Sequence, residues 1–151
     1  MKAERFRQLL PALWAGLLLT VALIAAPAPF ATLATQDAGR VVARIFAQEA
    51  YVSLAFAAVL YVLERRQARS DAAAGRGSVL SGNLLLIFGA LFCTVAGYFA
   101  LQPMMEAARA GQPGPSFMTL HAASTGLFAL KAALVTALAW RSTLAGPPQE
   151  G

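Results

Sequence analysis

Charged residues are scarce in this chain of 151 residues, in which Asp, Glu, Lys and Arg together make up 13% of the composition. Soluble domains carry roughly 25% charged residues, and a domain this small must cover a large surface with polar groups. Hydrophobic residues make up 58% of the chain, which also excludes disorder for the bulk of it. The single cysteine, Cys93, excludes an intramolecular disulfide framework. The composition therefore predicts an integral membrane protein.

Recognisable catalytic motifs are missing as well. The chain has no Gly-x-Ser-x-Gly elbow, no His-Glu-x-x-His zinc motif and no phosphate-binding loop. Its one histidine, His121, excludes a site with two histidine ligands within a single chain. The excess of basic residues is not interleaved with aromatic residues, as it would be on a nucleic-acid-binding surface. We therefore expect a protein that is not an enzyme, has no cofactor and does not bind nucleic acid.

Four long apolar stretches meet the requirement of about 20 residues for a helix that crosses the hydrocarbon core. Their continuity argues against a membrane barrel, whose strands alternate apolar and polar residues. The predicted fold is an all-α membrane protein, an antiparallel bundle of four transmembrane helices in one domain, followed by a flexible tail at 141–151. Prolines are expected to end the first span at Pro27 and the third at Pro103. The predicted spans are approximately 9–30, 45–63, 80–101 and 118–140.

Lysine and arginine are distributed unequally between the predicted loops. The side of both termini holds Lys2, Arg5, Arg7, Arg65, Arg66, Arg69, Arg76 and Arg141, and the other side holds Arg40, Arg44 and Arg109. Positive residues mark the cytoplasmic side of short loops, so both termini are predicted to be cytoplasmic and the chain to lie in the bacterial cytoplasmic membrane. The first apolar run is longer than the roughly 7–15 residues of a signal peptide, so we expect it to stay as a span.

Small residues recur at four-residue spacing on three of the spans, which places each set on one helix face. Small faces let membrane helices approach closely, so we expect these three sets to form the packing faces of the bundle. Cys93 then serves as a small packing residue. The sets are Ala12, Gly16 and Thr20; Gly89, Cys93 and Gly97; and Ala129, Ala133 and Ala137.

Polar side chains inside the predicted spans are costly and mark candidate functional positions. Glu49 lies about one turn inside the second span, so a contact with His121 near the outer face is feasible. Lys131 lies near the middle of the fourth span, which is too deep for Glu49 and closer to Thr94 or Cys93. The set either lines a functional cavity or forms structural hydrogen bonds. The candidate polar interior comprises Arg44, Glu49, Gln102, His121, Ser124 and Lys131.

Several short motifs follow one another from the first span to the fourth. They are Trp-Ala-Gly at 14–16, Pro-Ala-Pro-Phe at 27–30, Gly-Arg at 39–40 with Arg-Ile-Phe at 44–46 and Glu49, Gln-Pro-Met-Met at 102–105, and Phe117 with Leu-His at 120–121 and Ser124. In this order they resemble the domain of unknown function 4149 family, small four-span membrane proteins related to eukaryotic transmembrane protein 205. The resemblance implies a four-helix protein of the inner membrane, with no established enzymatic activity or cofactor.

Three functions stay open at this point. The leading interpretation is a non-enzymatic accessory or interaction module of the cytoplasmic membrane, whose partners are the lipid bilayer and either further copies of the chain or another membrane protein. The first alternative is a small oligomeric transporter or channel that uses the polar face of the fourth helix. The second is copper binding near the outer face, where Met104, Met105 and His121 cluster, because thioethers and imidazole suit copper.

Overall fold

The computed structural model describes residues 2–144, and every regular element within that range is helical. The elements are α1 (Lys2–Thr20), a first π-helical segment (Val21–Ala25), α2 (Ala28–Thr32), α3 (Thr35–Ala73), α4 (Gly82–Thr94), a second π-helical segment (Val95–Ala100), α5 (Leu101–Arg109) and α6 (Phe117–Leu144). Four helical stretches are long and apolar enough to cross a membrane, namely Glu4–Thr32, Thr35–Ala73, Gly82–Arg109 and Phe117–Leu144. The prediction of an all-α chain with four such helices is confirmed.

The helices extend beyond the predicted spans. Pro103 does not end the third stretch, because it is the third residue of α5, where a missing backbone N–H is tolerated. The second stretch continues past Glu64 to Ala73. Charged side chains can end an apolar span without ending the helix, because they do not interrupt its backbone hydrogen bonds. Of the predicted flexible tail, residues 141–144 belong to α6, and the remainder at 145–151 lies outside the described residues.

Glycines with positive φ terminate α3 and α5. Gly75 has φ 71°, and its N–H and that of Arg76 donate to the carbonyls of Ala72 and Asp71 at 3.0 and 2.7 Å. Gly111 ends α5 in the same way with φ 73°. This left-handed cap satisfies the last carbonyls of a helix and turns the chain sharply. It allows short connections to α4 and α6.

Side-chain contacts between the long helices show which residues lie at the same level of the bundle. The contacting pairs are Arg7 with Glu64, Trp14 with Ser53, Tyr61 with Phe88, Tyr51 with Phe99, and Asn83 with Arg141. One end of the molecule therefore gathers Arg7, Glu64, Asn83 and Arg141, and we call it the closed end. The opposite end holds α2, α5 and the first turns of α3 and α6, and we call it the mouth end.

Large apolar side chains fill the part of the bundle nearest the closed end. Trp14, Leu18, Leu60, Ile87 and Leu138 are all at most 1% exposed and belong to one contact cluster. Many other large apolar side chains point outward, which is expected where the surroundings are lipid tails. Among them are Leu23, Met118 and Trp140, each about 70% exposed.

Only one of the three small-residue faces makes a close helix contact. A Cβ atom at Gly97 would lie 3.2 Å from Cβ of Leu127, and one at Gly89 would lie 2.9 Å from Cδ1 of Leu134, so α4 and its π-helical extension pack tightly on α6. The other two expected faces are wrong, because Gly16 has no atom near its Cβ position and the alanines at 129, 133 and 137 are exposed. Larger buried side chains on α1 and α6, such as Trp14 and Val135, occupy the interior instead.

We expect Gly97→Leu to lower the free energy of unfolding by about 1–3 kcal/mol, because the added side chain would enter packed space between α6 and the second π-helical segment. Gly126→Leu is the matched control, since no atom lies within 4 Å of its Cβ position. Thermal unfolding of both purified variants in the same detergent measures the difference. Equal loss of stability in the two variants would contradict this packing.

Candidate functional site

Lys131 and Glu49 form an ion pair inside the bundle. Nζ of Lys131 donates to Oε1 and Oε2 of Glu49 at 2.8 and 2.9 Å. The two residues are only 2% and 5% exposed. Glu49 is the fourteenth residue after Thr35, where α3 begins, and Lys131 is the fourteenth after Phe117, where α6 begins. The expectation that Lys131 lies too deep for Glu49 is therefore wrong, because α3 begins ten residues earlier than the predicted span.

A buried chain of hydrogen bonds connects this ion pair to α1. The indole N–H of Trp14 donates to Oγ of Ser53 at 2.9 Å, and the hydroxyl of Ser53 donates to Oε1 of Glu49. Trp14 and Ser53 are fully buried, and the indole also stacks on Phe56 with ring centroids 5.8 Å apart. The chain Trp14–Ser53–Glu49–Lys131 therefore links α1, α3 and α6. The sequence analysis missed the role of Trp14 because it considered this residue only as part of a motif.

A cavity of about 450 Å³ lies between the ion pair and the mouth end. Its inner end is lined by Glu49 and Lys131, together with Cys93 and Thr94 of α4. Beyond the ion pair, the packed cluster around Leu60 and Leu138 fills the interior toward the closed end. The cavity thus has a polar floor and reaches toward one end of the bundle. We refer to Glu49 and Lys131 together as the floor pair.

The walls of the cavity are mostly apolar and aromatic. Phe46 and Phe128 meet edge to face with centroids 5.3 Å apart, and Nζ of Lys131 lies 4.8 Å from the centroid of Phe128. The remaining aromatic members of the lining are Phe30, Tyr98 and Phe117. This combination of apolar walls and few polar groups is typical of small-molecule sites.

Both π-helical segments contribute to the walls, through Ala22 in the first and Gly97 and Tyr98 in the second. In a π-helical turn the hydrogen bonds are shifted by one residue, and such turns are frequent at functional sites. The Gly97 carbonyl accepts a 2.9 Å hydrogen bond from the hydroxyl of Ser124 on α6. Ser124 therefore fixes the position of α6 against this wall.

The other predicted polar residues are distributed around the mouth end. His121 is exposed and stacks on Phe117 at 5.7 Å, and the guanidinium of Arg109 lies 4.4 Å from the centroid of the same ring. Gln102 donates to Glu106 at 3.3 Å and lines the cavity. The exposed Arg44 is not among the lining residues.

The contact between Glu49 and His121, which the sequence made feasible, does not form. His121 precedes Lys131 by ten residues on α6, which is about 15 Å along a helix. Because Glu49 lies at the depth of Lys131, the carboxylate bonds Lys131 and Ser53 instead. Of the six predicted polar residues, the structure places Glu49 and Lys131 in direct contact and spreads Gln102, His121 and Ser124 over the wall and the mouth.

A second polar cluster, missed by the sequence analysis, connects all four long helices at the closed end. Glu64 is 3% exposed and accepts hydrogen bonds from Arg7 at 3.0 Å and from Asn83 at 3.1 Å. Nε of Arg141 in turn donates to Oδ1 of Asn83 at 2.8 Å. The three- and four-residue spacing of α3 could have predicted that Glu64 is buried, because it lies on the same helix face as Glu49. The buried residues on that face are Glu49, Ser53, Ala57, Leu60, Glu64 and Ala68.

The residues suggested for copper do not all face one space. Met105 is 7% exposed and lines the cavity together with His121, whereas Met104 is 42% exposed and is not part of the lining. Within residues 2–144, no three His, Cys, Asp or Glu side chains come together in a group that could hold a metal ion.

These helices, with their apolar outer surface and an ion pair sealed inside, define a multi-pass membrane protein. Residues 9–113 match the family described as Domain of unknown function (DUF4149), and since the match covers more than half of the chain, the chain belongs to this family. No curated protein matches the chain, and no solved structure does. The matched residues include Glu49 and end before α6, which carries Lys131.

We expect Lys131→Met to destabilise the protein by about 3–5 kcal/mol, because it leaves the carboxylate of Glu49 buried without its cation. The double variant Lys131→Met with Glu49→Leu removes both charges and should recover a large part of that loss. Unfolding of wild type, both single variants and the double variant forms a double-mutant cycle. Losses that simply add in the double variant would mean that the two side chains do not interact.

Proposed function

We propose that this chain is a non-enzymatic protein of the bacterial cytoplasmic membrane that binds a small, largely apolar molecule in the cavity above the floor pair. The observation that carries the proposal is the cavity of about 450 Å³ whose inner end is the buried ion pair of Lys131 and Glu49. Binding sites for small molecules have volumes of about 300–1,000 Å³ and combine apolar walls with few polar groups. In this role the chain serves as an accessory or interaction module rather than as a catalyst.

The energetic cost of the floor pair supports a binding role. A lysine near the centre of a membrane helix costs about 2.5–3.5 kcal/mol on insertion scales. Apolar side chains would fill the same space with equal or better stability. A polar group held at the end of an apolar cavity is useful for orienting a bound molecule.

An antiparallel arrangement with both termini in the cytoplasm belongs to the same proposal. It is supported by the excess of basic residues in the loops on one side, and by helix contacts in which residue numbers rise along one helix as they fall along the next, such as Tyr61 with Phe88 and Tyr51 with Phe99. In this orientation the mouth end faces away from the cytoplasm, and the lipid bilayer surrounds the bundle.

Cysteine labelling tests this orientation. In a Cys93→Ala background, which removes the one native cysteine, we expect His121→Cys at the mouth end to react with a membrane-impermeant maleimide added to spheroplasts. Arg76→Cys, in the exposed turn between α3 and α4, is the matched control and should react only in inverted vesicles. Labelling of the Arg76→Cys variant from outside would contradict the orientation.

A cavity-filling variant tests binding itself. We expect native mass spectrometry of the wild-type protein, released in mild detergent, to show a retained small molecule that Ala43→Trp loses, because Ala43 lines the cavity. Ala129→Trp is the matched control, since Ala129 is exposed on α6 and is not part of the lining. The proposal is wrong if Ala43→Trp retains the same molecule to the same extent as the wild type and the control.

Transport by an oligomer is the second candidate, and the polar cluster at the closed end favours it. Glu64 and its partners bond helices to one another at the end opposite to the cavity. A transporter needs contacts that can exchange where its closed side opens, and this cluster supplies such polar contacts beyond the apolar side chains packed around Leu60 and Leu138. Crosslinking in membranes that yields only the single chain would count against this candidate.

A further inference from the structure

The floor pair also indicates what kind of molecule the cavity takes. From its charge, its unused hydrogen-bonding capacity and the aromatic walls beside it, we infer that the ligand is an uncharged aromatic molecule that places a hydroxyl or carbonyl oxygen against Lys131 and Glu49. Phenols and quinones belong to this class. The inference rests on the proposed binding function and adds the class and the orientation of the ligand.

The charge of the floor pair excludes an ionic group at the inner end of the ligand. Lys131 and Glu49 neutralise each other at 2.8 Å, and both are at least 95% buried. An additional charge at this depth has no counter-ion within the pair and loses its hydration, which is strongly unfavourable in an apolar interior. The part of the ligand that reaches the floor is therefore neutral.

The hydrogen bonds of the floor pair leave one donor and one acceptor. A lysine ammonium has three N–H donors and a carboxylate has about four acceptor positions. Two donors of Lys131 go to the two oxygens of Glu49, and Oε1 also accepts from Ser53. One N–H of Lys131 and one lone pair of Oε2 are thus unused by these bonds. A hydroxyl group can accept from the first and donate to the second, and a carbonyl can accept from the first.

The side walls next to the floor fit a flat ring. Phe46 and Phe128 stand three residues before Glu49 and Lys131 on their helices, so their rings lie just above the floor. They meet at an interplanar angle of 87°, an arrangement that leaves ring edges and faces available for a third ring. An aromatic body packed against this pair of rings, on the side that faces the cavity, would direct its oxygen toward Lys131.

The mouth offers an alternative in which the ligand is an anionic amphiphile. Arg109 and His121 both line the cavity and are exposed. The imidazole of His121 stacks on the ring of Phe117, and the guanidinium of Arg109 lies over the same ring, so both groups already have a partner. We therefore favour recognition at the floor, and the test below separates the two.

Four probes with the same alkylbenzene body test the inference: 4-hexylphenol, 4-hexylanisole, hexylbenzene and 4-hexylbenzoate. Native mass spectrometry counts the probe retained by the protein itself, and each probe is titrated to the same measured concentration in the micelles, so that the retained amounts are compared under matched partitioning. For the wild type we expect 4-hexylphenol to bind about tenfold more tightly than hexylbenzene, since hydrogen bonds to charged groups are the stronger kind. The anisole, which accepts but does not donate, should fall between them.

The variants assign that preference to residues. Glu49→Leu with Lys131→Met should bind phenol and hexylbenzene equally, provided that its thermal unfolding shows a folded protein. If this variant does not fold, the order of the probes on the wild type decides alone. Arg66→Gln is the matched control, since Arg66 is exposed and is not among the lining residues, and it should keep the preference for the phenol.

Two results would overturn the inference while leaving the proposed function intact. One is equal binding of phenol and hexylbenzene to the wild type, with both lost in Ala43→Trp. The other is tightest binding of the benzoate with loss in Arg109→Gln, which would identify an anionic amphiphile held at the mouth. Binding of all four probes that is unaffected by Ala43→Trp would instead contradict the proposed function itself.

Discussion

The ion pair between Lys131 and Glu49 is the interaction on which the rest of the interior depends. Two opposite charges buried in an apolar interior are stable only when they are in direct contact. This requirement fixes the relative depth of α3 and α6, because each residue stands at the same distance from the start of its helix. It also fixes α1, whose Trp14 bonds Ser53 next to the carboxylate. The apolar cluster then packs on one side of the pair and the cavity opens on the other.

The family match covers only part of the chain, and the candidate site uses residues from inside and outside the matched part. Residues 9–113 belong to the matched region, and α6 follows it. The site draws on both parts, since Glu49 and the second π-helical segment come from the first and Lys131 and Ser124 from the second. The charge of Glu49 is balanced in this chain by a residue from outside the matched region. Sequences that match over the same residues can therefore differ in what stands opposite the carboxylate.

Much of the architecture follows from the sequence, because long apolar runs identify the helices that can span a membrane. The polar candidates also emerge, since charges inside such runs are rare. Their pairing does not, because depth depends on helix boundaries: placing the start of α3 near 45 instead of at Thr35 moves Glu49 from the middle of its helix to its first turn. Small-residue spacing was an equally incomplete guide. A Cβ atom at Gly97 would meet α6 and one at Gly16 would meet no atom within 4 Å, while the large side chain of Trp14 is the one that α1 buries.

The second π-helical segment has a consequence for the length of the chain. A π-helical turn holds one residue more than an α-helical turn, so Val95–Ala100 places an extra residue between α4 and α5. Loss of one residue there would restore an ordinary helix and leave α5 on the same face, whereas the same loss within α4 would rotate everything after it by about 100°. Gln102 and Met105 would leave the cavity wall, and residues now facing lipid would replace them. The wall of the cavity is thus sensitive to single-residue insertions and deletions, more than to most exchanges of one side chain for another.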